Sequence, residues 1–306
     1  MDKTRVFYAY IFLIFATALW GGNIIAAKTA SIVALEPIKL SFFRNIVVIL
    51  ILVPFIANKI QFIYKIFIKN WKIIVFLSIF SVAIFNTFMN IALTSSSVIS
   101  SSLMPSFAPS IIIVLSLILY NSKISRLQII GVMISFIGFI NIIIRGDIIN
   151  LGSFNFVVGD IWMLGCVSCW ALYSSLVRKI PKEIDNMSFL FLIFFIGNMF
   201  VLPFYLFESH INKSYLINEE YGLILILYCG IGPALISYLC LIKAIKIIGA
   251  NKSGLFLNLI PIFSSIISII FLKEKLELFH IVGALLIFTG IYLVIRKGNN
   301  EKNKKI

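Results

Sequence analysis

Apolar residues fill most of the chain in long stretches, and short polar segments rich in lysine separate these stretches. A stretch of about 20 mostly apolar residues is long enough to cross the hydrocarbon core of a membrane as a helix. Backbone polar groups cannot stay unpaired in lipid, so the stretches are predicted to be helices and not strands. Ten spans are predicted, at residues 7–27, 37–56, 72–93, 98–120, 127–145, 156–177, 187–207, 222–242, 252–272 and 279–296.

The composition excludes a water-soluble globular domain. Hydrophobic residues make up 61% of the 306 positions and charged residues only 12%, whereas a soluble domain is roughly a quarter charged. The chain also carries a net charge of +14. Most lysines and arginines fall in segments that would share one side of the membrane with the N-terminus. The charge is therefore interpreted as a topology signal and not as a nucleic-acid surface.

These observations together predict a multi-pass protein of a bacterial plasma membrane, with both termini in the cytoplasm. Lysine far outnumbers arginine and no organellar transit peptide is visible, which favours the bacterial inner membrane. The N-terminal apolar run is predicted to stay as the first span, because no signal-peptide cleavage site follows it. Membrane lipids are expected partners, and nucleic acid is not.

The second half of the chain repeats the first at a nearly constant offset. Residues 109–143 align with residues 261–295 when shifted by 152 positions, and the shift superimposes Pro109 on Pro261. It also pairs Gly131 with Gly283 and Gly138 with Gly290. Each half holds five predicted spans, and because five is odd the second half must enter the membrane in the opposite orientation. Inverted repeats recur in secondary transporters, whose substrate site lies between the halves near the middle of the membrane.

The predicted fold is an all-α polytopic membrane protein of ten transmembrane helices in two inverted five-helix repeats. The first repeat takes residues 7–145 and holds spans one to five. The second repeat takes residues 156–296 and holds spans six to ten, and residues 297–306 form a basic cytoplasmic tail.

Short motifs in both halves point to one family. In chain order they are Ala18-Leu19-Trp20-Gly21-Gly22-Asn23, Glu36-Pro37, Phe43-Arg44, Gly159-Asp160, Cys169-Trp170-Ala171-Leu172-Tyr173, Leu257-Asn258-Leu259-Ile260-Pro261-Ile262-Phe263 and Leu272-Lys273-Glu274-Lys275-Leu276. With these motifs the chain resembles the EamA family of the drug/metabolite transporter superfamily over nearly its whole length. The resemblance implies ten helices in two EamA repeats, and export or exchange of small metabolites such as amino acids.

Polar and aromatic side chains inside the spans are the candidate substrate-binding residues. Such side chains are costly in lipid unless they pair or face a cavity. Amides suit a neutral or zwitterionic solute because they both donate and accept hydrogen bonds. The candidates are Trp20, Asn23, Asn86, Asn90, Trp170, Tyr173, Tyr238 and Asn258. The alternative is that these side chains join neighbouring helices without any ligand.

Two prolines, a glycine pair and one arginine carry further expectations. Pro109 and Pro261 are predicted hinges, because the repeat pairs them and a proline frees backbone carbonyls inside a helix. Gly21-Gly22 allows either a close approach of two helices or a local bend in span one. Arg44 either reaches the membrane interface with its long side chain or pairs with a substrate carboxylate.

The expected function is that of a secondary transporter, an exporter or exchanger of a small metabolite that works by alternating access. A facilitative channel or uniporter is the alternative. A membrane-embedded enzyme is disfavoured, because no metal-binding or acid–base motif occurs in the sequence. We expect no catalytic residue, no metal and no cofactor, and a small-molecule substrate as the specific partner. The substrate, the direction of transport, the coupling ion and the oligomeric state stay open.

Overall fold

The computed structural model describes residues 3–121, 125–147, 157–181, 183–214, 220–249, 253–254 and 256–302. All regular secondary structure in these ranges is helical, so the predicted all-α class is confirmed. The number of membrane crossings and the inverted relation of the two halves stay predictions. Below, the first half means the described residues up to 147, and the second half those from 157 onward.

The helices follow the apolar stretches of the sequence. They are α1 (Lys3–Ile32), α2 (Pro37–Ile56), α3 (Ile60–Ser78), α4 (Phe85–Ser95), α5 (Val98–Leu103), α6 (Ala108–Tyr120), α7 (Arg126–Ile143), α8 (Val158–Leu176), α9 (Asn186–Asn212), α10 (Glu220–Ile231), α11 (Ser237–Ile248), α12 (Ile260–Ile267) and α13 (Leu278–Lys302). The last helix continues into the segment that was predicted to be a tail, of which residues 303–306 lie outside the described ranges.

Six helical stretches among the described residues are long and apolar enough to cross a membrane. They are Thr4–Ile32, Pro37–Ser95, Val98–Tyr120, Arg126–Ile143, Asn186–Asn212 and Tyr221–Ile248; Leu257–Leu272 and Leu278–Val294 are shorter apolar helices. Large apolar side chains such as Phe204 and Phe207 are exposed along these stretches. An apolar exterior of this extent is expected of a protein whose surroundings are lipid chains.

The connection between the second and third predicted spans is helical, although no span is predicted there. Its first part runs from Ile60 to a kink at Asn70, whose backbone leaves the helical region (φ −125°, ψ 22°). Ile63 and Ile66 are buried on one face of this part, in a cluster that includes residues of α9. The segment is helical because an amphipathic helix can bury such a stripe while its lysines stay exposed.

Three π-helical turns occur in the described structure: two of them join consecutive helices and one ends a helix. The turns are Ile79–Ile84 between α3 and α4, Gly232–Ile236 between α10 and α11, and Ser268–Leu272 after α12. The first two lie at positions that the repeat offset relates. In each of them a side chain satisfies a freed carbonyl: Nδ2 of Asn86 donates to the Val82 oxygen, and Oγ of Ser237 to the Gly232 oxygen, both at 3.2 Å. Single π turns often mark functional sites in helices.

Helices α7 and α13 pack antiparallel across glycines. Gly131 lies opposite Gly290, and Gly138 lies opposite Gly283. A Cβ atom on Gly138 would lie only 2.8 Å from the Gly283 carbonyl oxygen, so the two backbones are in contact. Between the glycine pairs, Oγ of Ser135 donates to the Ile287 carbonyl oxygen at 3.2 Å. Ser135 and Ile287 are 152 positions apart, which is the repeat offset.

Helices α2 and α9 form a second antiparallel pair, in which two contacting residues are again separated by about the repeat offset. Nδ2 of Asn45 donates to Oδ1 of Asn198 at 3.2 Å, and these two residues are 153 positions apart. Phe42, three residues before Asn45 on α2, and Tyr205, seven residues after Asn198 on α9, have stacked rings with their centroids 4.3 Å apart. In both helix pairs, contacting residues are therefore separated by the repeat offset of 152 or by one position more.

The other helix contacts also come in related sets. Helix α1 packs against α11 and α12, while α8 packs against α4 and α6. Helix α2 packs against α10, while α9 packs against α3 and the π turn that follows it. Replacing each helix of the first set by the helix one repeat offset away reproduces the helix–helix contacts of the second set, whereas the contact of α9 with the π turn has no equally extensive counterpart on α2.

Candidate substrate site

The eight candidate substrate residues lie on five elements. Asn23 is on α1, Asn86 and Asn90 are on α4, Trp170 and Tyr173 are on α8, Tyr238 is on α11, Trp20 reaches from α1 to a π turn, and Asn258 lies in a short turn before α12. Hydrogen bonds and ring contacts bring some of them to common neighbours.

Trp20 attaches α1 to a π turn of the second half. Its Nε1 donates to the carbonyl oxygen of Pro233 at 3.0 Å. The adjacent Gly22 leaves room for the hydroxyl of Tyr228, which donates to an α1 carbonyl at 3.2 Å. A Cβ atom on Gly21 would lie 3.0 Å from backbone and side-chain atoms of α12. Since α1 continues unbroken through this point, close helix approach explains the glycine pair, and no local bend does.

The amides of Asn23 and Asn90 lie where α1, α2 and α4 meet. Nδ2 of Asn90 donates to Oγ of Ser41 at 2.9 Å and to the Pro37 oxygen at 3.3 Å. Nδ2 of Asn23 lies 3.8 Å from the sulfur of Met89. Both side-chain oxygens are buried and have no hydrogen-bond partner among the described residues. These amides hold helices together through their nitrogens and keep an acceptor unused.

The aromatic candidates form a wall along α8. The ring of Trp170 lies 5.3 Å from that of Phe85 and 5.4 Å from that of Tyr173, measured between centroids. Tyr173 and Tyr238 pack against one buried apolar cluster, and Trp170 packs against the neighbouring one. Offset and tilted ring pairs of this kind stabilise packing, and they give this region flat apolar surfaces.

Asn258 and the two candidate hinges lie at helix starts. Asn258 is in the 3₁₀ turn Leu257–Leu259, and Pro261 is the second residue of α12. Pro109 is likewise the second residue of α6. First-turn amides have no partner within their helix, so neither proline removes a helical hydrogen bond. No side-chain hydrogen bond joins Asn258 to another candidate within the described ranges, and the hinge role stays a prediction.

The burial of Arg44 decides against one of its two possible roles, contact with the membrane interface. The residue is 3% exposed, so its guanidinium group does not reach the surface and the interface interpretation is wrong. Its Nε and Nη1 atoms have no hydrogen-bond partner among the described residues. Helix α10 covers this part of α2: a Cβ atom on Gly230 would lie 3.0 Å from the Arg44 carbonyl oxygen.

The contact between Asn45 and Asn198 was not predicted from the sequence. Neither residue was a candidate, yet both are buried, at 0% and 2% exposure. The signal that could have found them is their separation of 153 positions, which is one more than the repeat offset of 152.

Side-chain hydrogen bonds between the two halves concentrate at one end of the helix bundle. This is the end where α2 and α5 begin and α9 ends, here named the Glu208 end. The carboxylate of Glu208, on α9, accepts from the backbone amides of Ile38 at 3.2 Å and Lys39 at 2.8 Å. It therefore caps the first turn of α2, where a negative charge is stabilised by the free amides and the helix dipole.

Glu274 makes an equivalent contact at the same end. Its carboxylate accepts from the amides of Val98 at 2.7 Å and Ile99 at 3.1 Å, at the start of α5. Close by, Oγ of Ser96 donates to the buried carboxylate of Asp160 at 2.5 Å, which joins the end of α4 to α8. Acidic side chains from the second half thus hold helix ends of the first half in three places.

At the opposite end, named the Asp185 end, the contacts are more exposed. Nζ of Lys59 lies 3.0 Å from the carboxylate of Asp185, and both side chains are well exposed. Burial alone would raise the pKa of Asp185, but hydrogen bonds from Lys59 and Ser188 outweigh it and hold the pKa below its ordinary value. This contribution to stability is present above the ordinary pKa of an aspartate and is lost as the pH falls through the lowered one.

Comparison with known proteins identifies the family. The model of the EamA-like transporter family matches residues 7–144 and 157–296, which is most of the chain. The chain belongs to the EamA-like transporter family. This confirms the resemblance that the motifs carried, and it makes the protein a multi-pass membrane protein of a transporter family with a small molecule as its substrate. Membership of a transporter family also argues against an enzyme.

Relatives of this EamA-like protein carry transporter names. "Uncharacterized transporter YyaM" of Bacillus subtilis is 27% identical over 73% of this chain and 72% of its own length. An "Uncharacterized transporter" of Archaeoglobus fulgidus is 23% identical over 97% of this chain and 98% of its own. One crystal structure covers 93% of this chain and 95% of its own at 17% identity, with a TM-score of 0.58. That likeness shows a shared fold.

Replacing Trp20 with phenylalanine is expected to lower the melting temperature of the detergent-solubilised protein. The ring stays, but the Pro233 oxygen loses its donor, and an unsatisfied buried acceptor costs about 1–3 kcal/mol. Trp162→Phe is the matched control, because Trp162 packs edge-on against Phe88 with centroids 4.8 Å apart. Equal melting temperatures for the two variants would show that the indole hydrogen bond adds nothing.

Proposed function

We propose that this EamA-like protein is a secondary transporter that exports or exchanges a small metabolite, such as an amino acid, by alternating access. In this proposal the chain crosses a bacterial plasma membrane ten times, as two inverted repeats over residues 7–145 and 156–296, and both termini are cytoplasmic. The substrate binds between the repeats. The proposed binding residues are Trp20, Asn23, Asn86, Asn90, Trp170, Tyr173, Tyr238 and Asn258, with Pro109 and Pro261 as hinges.

One observation carries the proposal: in two antiparallel helix pairs, residues in contact are separated by the repeat offset of 152 or by one position more. Asn45 bonds to Asn198, and Ser135 bonds to the carbonyl of Ile287. A two-fold axis that relates two antiparallel helices and passes between equivalent residues runs perpendicular to both helices. For helices that cross a membrane, such an axis lies in the membrane plane, which is the arrangement of inverted repeats.

The related contact sets of the other helices support the same axis. When α1 is exchanged for α8, its contacts with α11 and α12 become those of α8 with α4 and α6. Each half can then adopt the arrangement of the other. The protein therefore has two arrangements of its halves that are close in energy and open to opposite sides of the membrane. Alternating access in transporters with inverted repeats follows from this exchange.

Charge assigns a side to each end of the bundle. The Asp185 end carries Lys59, Lys243 and Lys246, and positive charge accumulates on the cytoplasmic side of membrane proteins. The Glu208 end would then face outward. In this proposal, the helix caps that Glu208 and Glu274 form across the two halves hold the bundle closed toward the outside.

Counterflow in proteoliposomes tests the proposal. Vesicles that contain the purified protein and are preloaded with the twenty unlabelled proteinogenic amino acids are expected to take up at least one labelled amino acid in a saturable way. Uptake should fall to the level of protein-free vesicles when the internal amino acids are omitted, because an exchanger returns loaded.

Three other outcomes have distinct meanings. Uptake that does not saturate would favour a channel, and saturable uptake without internal amino acid would favour a uniporter. Lack of counterflow for every amino acid, and for a matching panel of nucleosides and polyamines, would contradict the transport proposal.

A further inference from the structure

Nε and Nη1 of the Arg44 guanidinium group are buried without a hydrogen-bond partner in the described structure. Arg44 lies about 10 Å along α2 from Pro37, at 1.5 Å per residue. The ion pairs of the described residues join other groups, and Nε and Nη1 of Arg44 have no acceptor there. A charge inside a membrane protein is costly unless it is paired, and unpaired ones mark functional sites.

Unused acceptors lie on the helices that pack against the helix of this unused donor. Ser41 is one helical turn before Arg44 on α2, so the two side chains lie on neighbouring positions of one face. Asn90 bonds to Ser41 through Nδ2, and its Oδ1 is buried without a partner. Asn23 contacts Met89, the residue before Asn90, and its Oδ1 is likewise unpartnered. A buried donor and two buried acceptors thus come from three adjacent helices.

Helix α10 of the second half closes over the same place. The backbone of Gly230 contacts Val47 and the carbonyl of Arg44, and its neighbour Cys229 is fully buried. The unpaired groups therefore lie between helices α1, α2 and α4 of one half and α10 of the other. In the proposed transporter this is the boundary between the repeats, where a substrate would bind.

We propose that Arg44 binds the carboxylate of a small zwitterionic solute, whose ammonium group donates to the side-chain oxygens of Asn23 and Asn90. The inference rests on the proposed transport function and names its substrate class. A planar guanidinium forms paired, charge-assisted hydrogen bonds with a carboxylate. The solute completes the hydrogen bonds of all three side chains, and this complementarity is what selects it.

Charge balance favours a carboxylate over a phosphate. One arginine supplies one positive charge, which matches a carboxylate, whereas a phosphate near neutral pH carries about 1.5–2 negative charges. The neighbouring amide oxygens would repel the additional negative charge. They accept hydrogen bonds from an ammonium group instead, so the site offers a partner to each end of a zwitterion: the guanidinium to its carboxylate and the amide oxygens to its ammonium group.

Binding measurements on the purified protein test the inference. The wild type is expected to bind at least one of the twenty proteinogenic amino acids, detected by tryptophan fluorescence. The methyl ester of that amino acid and its deaminated acid should each bind at least tenfold more weakly. In Arg44→Gln, the amino acid should bind at least tenfold more weakly while the affinity for the ester stays unchanged. Arg145→Gln is the matched control, because Arg145 is exposed at the end of α7.

Two results would overturn the inference. One is an Arg44→Gln protein that keeps the tenfold preference for the free acid over the ester. The other is counterflow of a solute without a carboxylate that is unchanged in Arg44→Gln, and this result would leave the transport proposal intact. Conversely, binding with the expected preference but without any counterflow would contradict transport and keep the carboxylate site.

A stability measurement separates ligand binding from a structural role. Without ligand, Arg44→Met is expected to melt at the same or a higher temperature than the wild type, because an unpaired buried charge is removed and apolar volume is kept. If Arg44 instead served to hold α2 in place, Arg44→Met would melt at a lower temperature, and this would count against the inference.

Discussion

Gly138→Leu is expected to remove most of the folded protein. A Cβ atom at this position would lie 2.7 Å from Cβ of Leu286, 2.8 Å from the Gly283 oxygen and 2.9 Å from the Ile287 nitrogen. Two of these are backbone atoms of α13, so no side-chain rotation relieves the clash. Overpacking costs about 1–3 kcal/mol even where neighbours can shift, and here the whole α7–α13 crossing must separate.

Fluorescence-detected size-exclusion chromatography measures this effect. The monodisperse peak of Gly138→Leu should fall at least fivefold below that of the wild type at equal total expression. Gly254→Leu is the control, since a Cβ atom on Gly254 has nothing within 4 Å. A wild-type peak for Gly138→Leu would mean that the close contact of α7 and α13 does not stabilise the fold.

Glu208→Gln combined with Glu274→Gln is expected to open the Glu208 end. Each carboxylate accepts two backbone amides across the two halves, and hydrogen bonds to a charged group contribute about 1.5–3 kcal/mol each. A loss of about 3 kcal/mol shifts a two-state equilibrium roughly 100-fold. The outward-open arrangement should then become well populated.

A cysteine probe at Ser101 reports this opening. Ser101 lies on α5, is fully buried, and its hydroxyl has no partner among the described residues. In a protein without its native cysteines, Ser101→Cys should react with a membrane-impermeant maleimide at least tenfold faster in the double variant than in the parent. Asp185→Asn at the other end should leave the rate unchanged, and equal rates in all three would contradict the sealing role.

The helices themselves could be predicted because apolarity is a local property. The predicted span 37–56 coincides with α2, and the predicted span 98–120 covers α5 and α6 with the turn between them. The helical start of α3 was missed, because the pattern that identifies a span is a continuous apolar run. A short amphipathic helix that buries only Ile63 and Ile66 has no such run.

The candidate site could be predicted only as a set of residue types. The sequence marked Asn23 and Asn90 as costly polar groups, but their partners, Met89 and Ser41, come from other helices. For Arg44 the sequence allowed two roles, at the membrane interface or with a substrate carboxylate. Only the packing of α10 over α2 excludes the interface. Glu274 was part of a family motif, yet its role as a cap on α5 depends on contacts that no spacing reveals.

The sequence by itself determined the all-helical membrane class, the family and the repeat offset. All three follow from patterns that each residue carries with it: apolarity, motif identity and periodic similarity. The tertiary structure alone decided which polar groups are satisfied and which are not. Asn86 is satisfied by a carbonyl of its own helix, whereas the guanidinium of Arg44 and the Oδ1 atoms of Asn23 and Asn90 are left over. Hydrogen bonding depends on distances of about 3 Å between atoms of different helices, and only the packed bundle sets those distances.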